Sequence, residues 1–220
     1  MACYGCLMGP TLMRTLVILA LAASATDLAQ SLQRKYDTVR DFSADFVHTY
    51  TGGVLHKQIT ERGHVLVKKP GKMRWDYTSP EKKLFVSDGV RVYSYVPEDR
   101  QVEESAVPRD DQAGAPILFL AGKGNLVRDF TASIGEVPNA SPSDSLALKL
   151  VPRSAQPDYD WLLLVVDPRS LSLRALVTMD GQGGQSSISF INLKENVSPA
   201  DKEFAFNIPR GVDVIHTPSR

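Results

Sequence analysis

Histidines are the residues of this 220-residue chain that would most readily supply acid–base or metal chemistry. Four are present, His48, His56, His64 and His216. His56 and His64 flank Glu61, but these three residues straddle the start of a predicted strand and lack the helical spacing that brings metal ligands together. We therefore interpret the histidines as scattered surface residues. A hydrolase that uses His48 or His64 stays open as one hypothesis.

Other signatures of catalysis are missing from the sequence. It contains neither a Gly-x-Ser-x-Gly elbow nor a phosphate-binding loop, and the glycine-rich run 181–184 opens no helix. The carboxylate pairs Glu103-Glu104 and Asp110-Asp111 are typical of solvated edges and loops. We therefore expect no enzyme activity, no cofactor and no metal site.

Large apolar side chains are the stronger feature. They are more numerous than a sheet with one solvent-exposed face requires. Two interpretations remain: a core packed under helices, or a cavity that receives acyl chains beneath a lid. The apolar run 116–121, set between Gly114 and Gly122, predicts a short buried helix that would be this lid. The residues assigned to the cavity and lid are Phe42, Phe46, Met73, Trp75, Tyr77, Phe85, Ile117, Leu118 and Leu120.

A run of strands must position most of these side chains. Residues 64–101 predict four consecutive strands with turns at 69–71, 78–81 and 88–89, the last an Asp-Gly pair typical of hairpins. Met73, Trp75 and Tyr77 would then share one face. Residues 41–50 alternate in the same way, which places Phe42, Ala44, Phe46 and His48 together.

The remaining elements indicate the fold class. Residues 26–40 predict an amphipathic helix with Asp27 as its cap and Gln30 completing a capping box. Residues 126–130 predict a second short helix. Strands are predicted at 146–151, 161–166, 171–179 and 185–193, with Leu171, Leu173, Ala175 and Val177 on one side of the third. Ten or eleven strands with few helices predict a mainly β (α+β) fold: a strongly curved antiparallel sheet, or unclosed β-barrel, with helices across its concave side.

The amino-terminal segment predicts export. An apolar run at 16–23 follows Arg14 and ends in Ala23-Ser24-Ala25, so residues 1–25 are interpreted as a signal peptide and 26–220 as one domain. Met13 is an alternative initiator. Both cysteines, Cys3 and Cys6, lie in the segment that would be removed, which predicts a mature chain without disulfide or lipid anchor. With 25 basic and 25 acidic residues, the composition gives no indication of nucleic-acid binding.

The ordered set of motifs resembles the outer-membrane lipoprotein carrier family (LolA). The similarity lies in the sequence at 67–75 (VKKPGKMRW), in Ser87-Asp88-Gly89 followed by aromatic residues, in the FSADF run at 42–46, in 116–121, and in FAF…PRGV at 204–212. This resemblance implies an unclosed barrel with a helical lid over a hydrophobic cavity. It also implies a monomeric periplasmic carrier that takes acylated lipoproteins from an inner-membrane ABC transporter to an outer-membrane acceptor.

The resemblance also implies a lid latch. The family's basic latch residue precedes the proline of a strand turn and is usually arginine, whereas this chain has Lys69 there. Lysine cannot reproduce the guanidinium fork, so we expect either a weaker latch or compensation by Arg74. The lid contact would fall near Leu120 and its partner on the sheet near Leu176. A lipid-binding or lipid-sensing regulatory module of the same fold remains an alternative function.

Overall fold

A computed structural model describes residues 24–52, 57–107, 120–122, 124–137, 144–156 and 158–217. Twelve strands in these residues form one sheet, in the order β12-β6-β5-β4-β3-β2-β1-β11-β10-β9-β8-β7. All neighbours are antiparallel except β12 and β6. The expected antiparallel, unclosed sheet is therefore confirmed. The strands are β1 Asp41–Thr51, β2 Gln58–Lys68, β3 Lys72–Ser79, β4 Lys83–Asp88, β5 Arg91–Val96, β6 Gln101–Ala106, β7 Phe130–Ile134, β8 Leu146–Pro152, β9 Trp161–Val166, β10 Leu173–Met179, β11 Gln185–Glu195 and β12 Asp213–His216.

The first helix, α1, spans Ala25–Thr38 and lies against the sheet through Leu28, Ala29 and Leu32. Its cap differs from the expectation: Ser24 is the N-cap and Asp27 completes the capping box, because the helix begins earlier than predicted. Cleavage after Ala25, as predicted above, would remove this cap and leave Asp27 beside the new amino terminus.

A second helix, α2, spans Leu126–Asp129 and is one residue shorter than predicted, because Phe130 begins β7. The Asn125 side chain caps it by accepting hydrogen bonds from the backbone N–H groups of Val127 and Arg128. The Leu126 N–H donates to the Gln33 side chain at 2.8 Å, which ties α2 to α1. Both helices also contact β7, so they lie over the β7–β8 side of the sheet.

The main core lies between the concave face of the sheet and the two helices. A smaller apolar cluster, Ala147, Leu163 and Val165, occupies the other face of β8 and β9. The strand β9 is therefore buried on both faces, which explains its continuously apolar sequence WLLLVV.

One expected alternation is wrong. A register shift between Leu173 and Ala175 in β10 sends Leu176 into the main core with Leu173, while Ala175 and Val177 face the smaller cluster. An extra residue in a strand reverses the faces of all residues after it, and no residue type in this stretch predicts the shift.

Candidate functional site

The concave face is built from rows of side chains that run across neighbouring strands. In the first row Phe42 pairs with Val67 and Val67 with Met73. In the second, Ala44, Val65, Trp75 and Phe85 are aligned. The third row contains Phe46, Gly63, Tyr77 and Lys83. Strand pairing thus brings together all six residues of the β1–β4 strands that the sequence assigned to an apolar cavity.

Gly63 makes room for the aromatic centre of this face. A Cβ at Gly63 would lie 2.1 Å from the Asp76 carbonyl oxygen and 2.7 Å from the Phe46 ring, so only glycine fits. The Phe46 ring occupies this space and meets the rings of Trp75 and Tyr77, each edge-on at 4.9 Å. The result is a continuous aromatic surface halfway along the strands.

Leu120 and Ala121 cover part of the concave face, and both are completely buried. The Ala121 carbonyl accepts a hydrogen bond from the Gly71 N–H at 2.9 Å, which ties this piece of chain to the β2–β3 turn. We refer to Leu120, Ala121 and Gly122 as the 120–122 segment. Ile117 and Leu118, also assigned to the lid, lie outside the described residues.

Lys69 stands where α1, the β2–β3 turn and the 120–122 segment meet. Its ammonium group donates to the Tyr36 carbonyl oxygen at the end of α1 and lies 4.1 Å from the centre of the Tyr36 ring. Its methylene stem packs so closely on Gly122 that a Cβ there would lie 2.9 Å from Cδ of Lys69. Lys69 therefore touches the 120–122 segment with its stem and holds α1 with its charge.

A polar pocket of about 170 Å³ opens beside Lys69 and is lined by Gln33, Tyr36, Asp37, Lys69, Gly122 and Gly124. Burial lowers the pKa of Lys69 to about 8, against the opposing effect of the Asp37 carboxylate. Lys69 is thus still protonated at neutral pH. A neighbouring gap measures about 10 Å³, far too small for an acyl chain, and its lining includes Val39, Phe42 and Leu173 as well as Lys35 and Glu195.

The structure does not bring Arg74 to Lys69. Arg74 lies on the opposite face of β3 from Met73 and Trp75, where its guanidinium forms two hydrogen bonds with the Asp76 carboxylate, at 2.7 and 2.9 Å. It also reaches the Glu203 carbonyl oxygen in the 3₁₀ helix Asp201–Phe204, which packs on β3 and β4. Leu176, by contrast, is buried in the main core together with Leu120.

Beyond the aromatic rings, the concave face ends in a polar layer of four residues: His48, Glu61, Lys83 and Ser186. The imidazole of His48 lies 3.2 Å from the Glu61 carboxylate through Nδ1 and 2.9 Å from the Ser186 hydroxyl through Nε2. The Lys83 ammonium pairs with the other Glu61 oxygen. Burial lowers the pKa of His48 despite the nearby Glu61 carboxylate, which favours a neutral imidazole.

This serine–histidine–glutamate chain resembles a hydrolase triad in its distances, but its setting differs. Ser186 lies within β11, paired with Tyr50 on one side and Thr178 on the other, rather than on a sharp turn with exposed N–H groups. The same geometry recurs on the other face of β1, where His64 lies 3.1 Å from the Ser43 hydroxyl and 3.0 Å from the Asp45 carboxylate. Cross-strand neighbours of a histidine account for both chains.

Sequence reasoning missed the polar layer as a unit. It placed His48 on the face of Phe42 and Phe46, but did not connect it with Glu61 and Lys83. The signal lies in the strand register, because His48 pairs with Glu61. Lys83 lies one row away, opposite Tyr77, and reaches Glu61 through its ammonium group. In the described part of the chain, no cluster of three or more potential metal ligands occurs. None of the helices described is long and apolar enough to span a membrane.

Comparison with known proteins identifies relatives along nearly the whole chain. The family model described as "Outer membrane lipoprotein carrier protein LolA" matches residues 37–207. The outer-membrane lipoprotein carrier proteins of Methylobacillus flagellatus and Chromohalobacter salexigens are 30% and 29% identical to it, covering 86% and 91% of this chain and 89% and 92% of their own. A solved structure of an uncharacterized conserved protein from Thermus thermophilus shares the fold, with a TM-score of 0.53 at 13% identity over 86% of this chain and 99% of its own.

Proposed function

Because this chain belongs to the outer-membrane lipoprotein carrier family (LolA), we propose that it is a periplasmic carrier that shields the acyl chains of lipoproteins. It receives them from an inner-membrane releasing ABC transporter and delivers them to an outer-membrane acceptor, acting as a monomer. Export by the predicted signal peptide, cleaved after Ala25, brings it between these two partners.

The observation that carries the proposal is the continuous apolar concave face, which α1 and the 120–122 segment cover. Phe42, Met73 and Trp75 are buried in the first two rows, which contain no charged residue, and Phe46 is buried in the third. Over this face the 120–122 segment is joined to the β2–β3 turn by the Gly71–Ala121 hydrogen bond. Displacing this segment and parting α1 from the sheet would expose an apolar surface suited to acyl chains.

Energetics explain why such a carrier is needed. Exposing an acyl chain of about sixteen carbons to water costs roughly 12 kcal/mol, at ~0.8 kcal/mol for each methylene. A free lipoprotein would therefore remain in its membrane. The carrier must supply apolar surface to each chain and yet release it, so we assign Lys69, Leu120 and Leu176 to closure of the cover and the sheet aromatics to the chain-binding surface.

A transfer assay tests the proposal. Inner-membrane vesicles that contain a triacylated lipoprotein and its releasing transporter are incubated with ATP and the purified protein, and the lipoprotein is then measured in the supernatant after sedimentation. We expect soluble lipoprotein in a one-to-one complex with this chain. Lipoprotein that stays with the vesicles, although the added protein is folded, would refute the carrier function. Mass spectrometry of ligand co-purified from the periplasm separates a lipoprotein carrier from a module that binds another lipid.

A further inference from the structure

Trp75 carries a polar group that the fold leaves unmatched. The side chain is 1% exposed, and its indole N–H has no hydrogen-bond partner within the described structure. Its ring is surrounded by aromatic carbon, with the centres of Phe46 and Phe190 at 4.9 and 6.3 Å. Buried donors are almost always paired in folded proteins, so an unpaired one calls for an explanation, and a ligand that arrives later is one.

The unmatched donor lies one row inside the polar layer. Trp75 aligns with Phe85 across β3 and β4, and the next pair outward is Tyr77 with Lys83. The Phe46 ring touches both Trp75 and Tyr77, and the Lys83 ammonium lies 5.9 Å from the centre of the Tyr77 ring. Polarity therefore rises in steps along this face, from hydrocarbon rows to a lone N–H and then to paired charges.

The charges in the polar layer favour a neutral ligand. Lys83 is already paired with Glu61, and burial favours the uncharged form of His48, whose two nitrogens contact Glu61 and Ser186. An anionic headgroup would have to displace Glu61 from Lys83. A neutral group with both donors and acceptors would instead add to the layer without separating the ion pair.

We infer that Trp75 and Lys83 form a subsite for the ester and amide groups that join the acyl chains to the cysteine of a lipoprotein. This deepens the proposed carrier function and rests on it. Ester carbonyls accept hydrogen bonds and donate none, which matches the lone indole N–H in the apolar row. The peptide group beyond them both donates and accepts, which matches a layer that holds the Lys83 ammonium beside the Glu61 carboxylate. The positions of Trp75 and Lys83 along the strands would then set how deep the acyl chains enter the concave face.

Two fluorescent probes separate this subsite from plain apolar binding. One is a synthetic triacylated cysteine peptide with a fluorophore at its carboxyl end. The other is diphenylhexatriene, a hydrocarbon with no hydrogen-bonding group. Trp75→Phe removes the N–H and keeps an aromatic ring, and Lys83→Met removes the charge and keeps the stem. The matched controls are Trp161→Phe, on the other face of the sheet, and Lys82→Met, an exposed neighbour.

We expect both site variants to bind the peptide about three- to tenfold more weakly, as the loss of one hydrogen bond implies, and to bind diphenylhexatriene like the wild type. Both controls should match the wild type with both probes. An equal loss with the two probes, or no loss with either, would overturn the inference. Because Lys83 is 36% exposed, Lys83→Met still tests the subsite if Trp75→Phe lowers stability.

The peptide recovered from the complex should be intact by mass spectrometry. Released fatty acid that disappears in a Ser186→Ala variant would assign the polar layer to hydrolysis and overturn the binding role. Failure of the carrier proposal has a different signature, because the wild type would then not bind the triacylated peptide and would leave lipoprotein in the vesicles.

Discussion

Replacing Leu120 by glutamate is expected to open the cover of the concave face while the sheet stays folded. Leu120 has no exposed surface and belongs to the same core as Met73, Trp75 and Leu176. An ionised carboxylate cannot remain there without a partner, because its desolvation costs several kcal/mol. Leu120 is not part of the sheet, so its leaving the core is less costly than breaking strand pairs.

The contacts of the 120–122 segment set the size of the effect. Burial of the Leu120 side chain contributes ~1.5–3 kcal/mol and that of the Ala121 methyl group ~0.8 kcal/mol. The hydrogen bond from Gly71 to Ala121 adds ~0.5–1.5 kcal/mol. Losing these contacts therefore costs about 3–5 kcal/mol. A domain of this size is stable by ~5–15 kcal/mol, so Leu120→Glu should remain folded.

Leu150→Glu is the matched control. Leu150 is equally buried in the same core, but it lies in β8 between β7 and β9 and cannot leave without breaking the sheet. Urea unfolding followed by circular dichroism gives the two stabilities, and diphenylhexatriene fluorescence reports the exposed apolar face. We expect Leu120→Glu to stay folded, bind more dye and deliver lipoprotein to an acceptor more slowly, whereas Leu150→Glu unfolds. If Leu120→Glu destabilises the protein as much as Leu150→Glu, the segment is ordinary core and the reasoning is wrong.

Two further outcomes follow from the same geometry. Gly63→Ala should destabilise the fold by about 2 kcal/mol or more, because the new Cβ would overlap the Phe46 ring and a backbone oxygen. Gly52→Ala is the control and should change stability little, since the nearest atoms to its Cβ lie at 3.9 Å. Equal urea midpoints for the two variants would contradict the packing described. Lys69 has a folded-state pKa of about 8, below its unfolded value near 10.5, so the folded state binds fewer protons between these values and stability should rise with pH across that window. After allowance for solvent screening this rise is on the order of 1–2 kcal/mol, and a Lys69→Met variant that retains it would refute the assignment.

Much of this fold follows from local sequence patterns. The alternation of Met73, Trp75 and Tyr77 predicted their shared face, and the Asp88-Gly89 pair predicted the hairpin between β4 and β5. Both depend on neighbours in the chain, which is why they could be predicted directly. The run WLLLVV likewise predicted a strand covered on both sides, and Leu163 and Val165 do belong to the second cluster.

Features that depend on distant pairing could not be predicted in the same way. The register shift in β10 placed Leu176 in the core and reversed the expected faces of Ala175 and Val177. The polar layer arises because β1 pairs with β2 in a register that sets His48 opposite Glu61. The parallel pairing of β12 with β6 joins residues far apart in the chain. In each case the stabilising free energy comes from contacts between strands, so the sequence of a single strand does not determine the pairing.

The closed concave face also bears on how a carrier can release its cargo. In the described structure Leu120, Ala121 and α1 occupy the surface that acyl chains would use, so binding exchanges internal contacts for contacts with the ligand. Burying a sixteen-carbon chain gains roughly 12 kcal/mol. Displacing the 120–122 segment costs about 3–5 kcal/mol, which offsets part of this gain. If the chain acts as the proposed carrier, its cover stores part of the binding energy, and closure of that cover would drive the acyl chain out toward an acceptor. A substitution that weakens closure, at Leu120 or Lys69, should therefore slow delivery more than uptake. Equal effects on uptake and delivery would indicate that closure of the cover does not drive release.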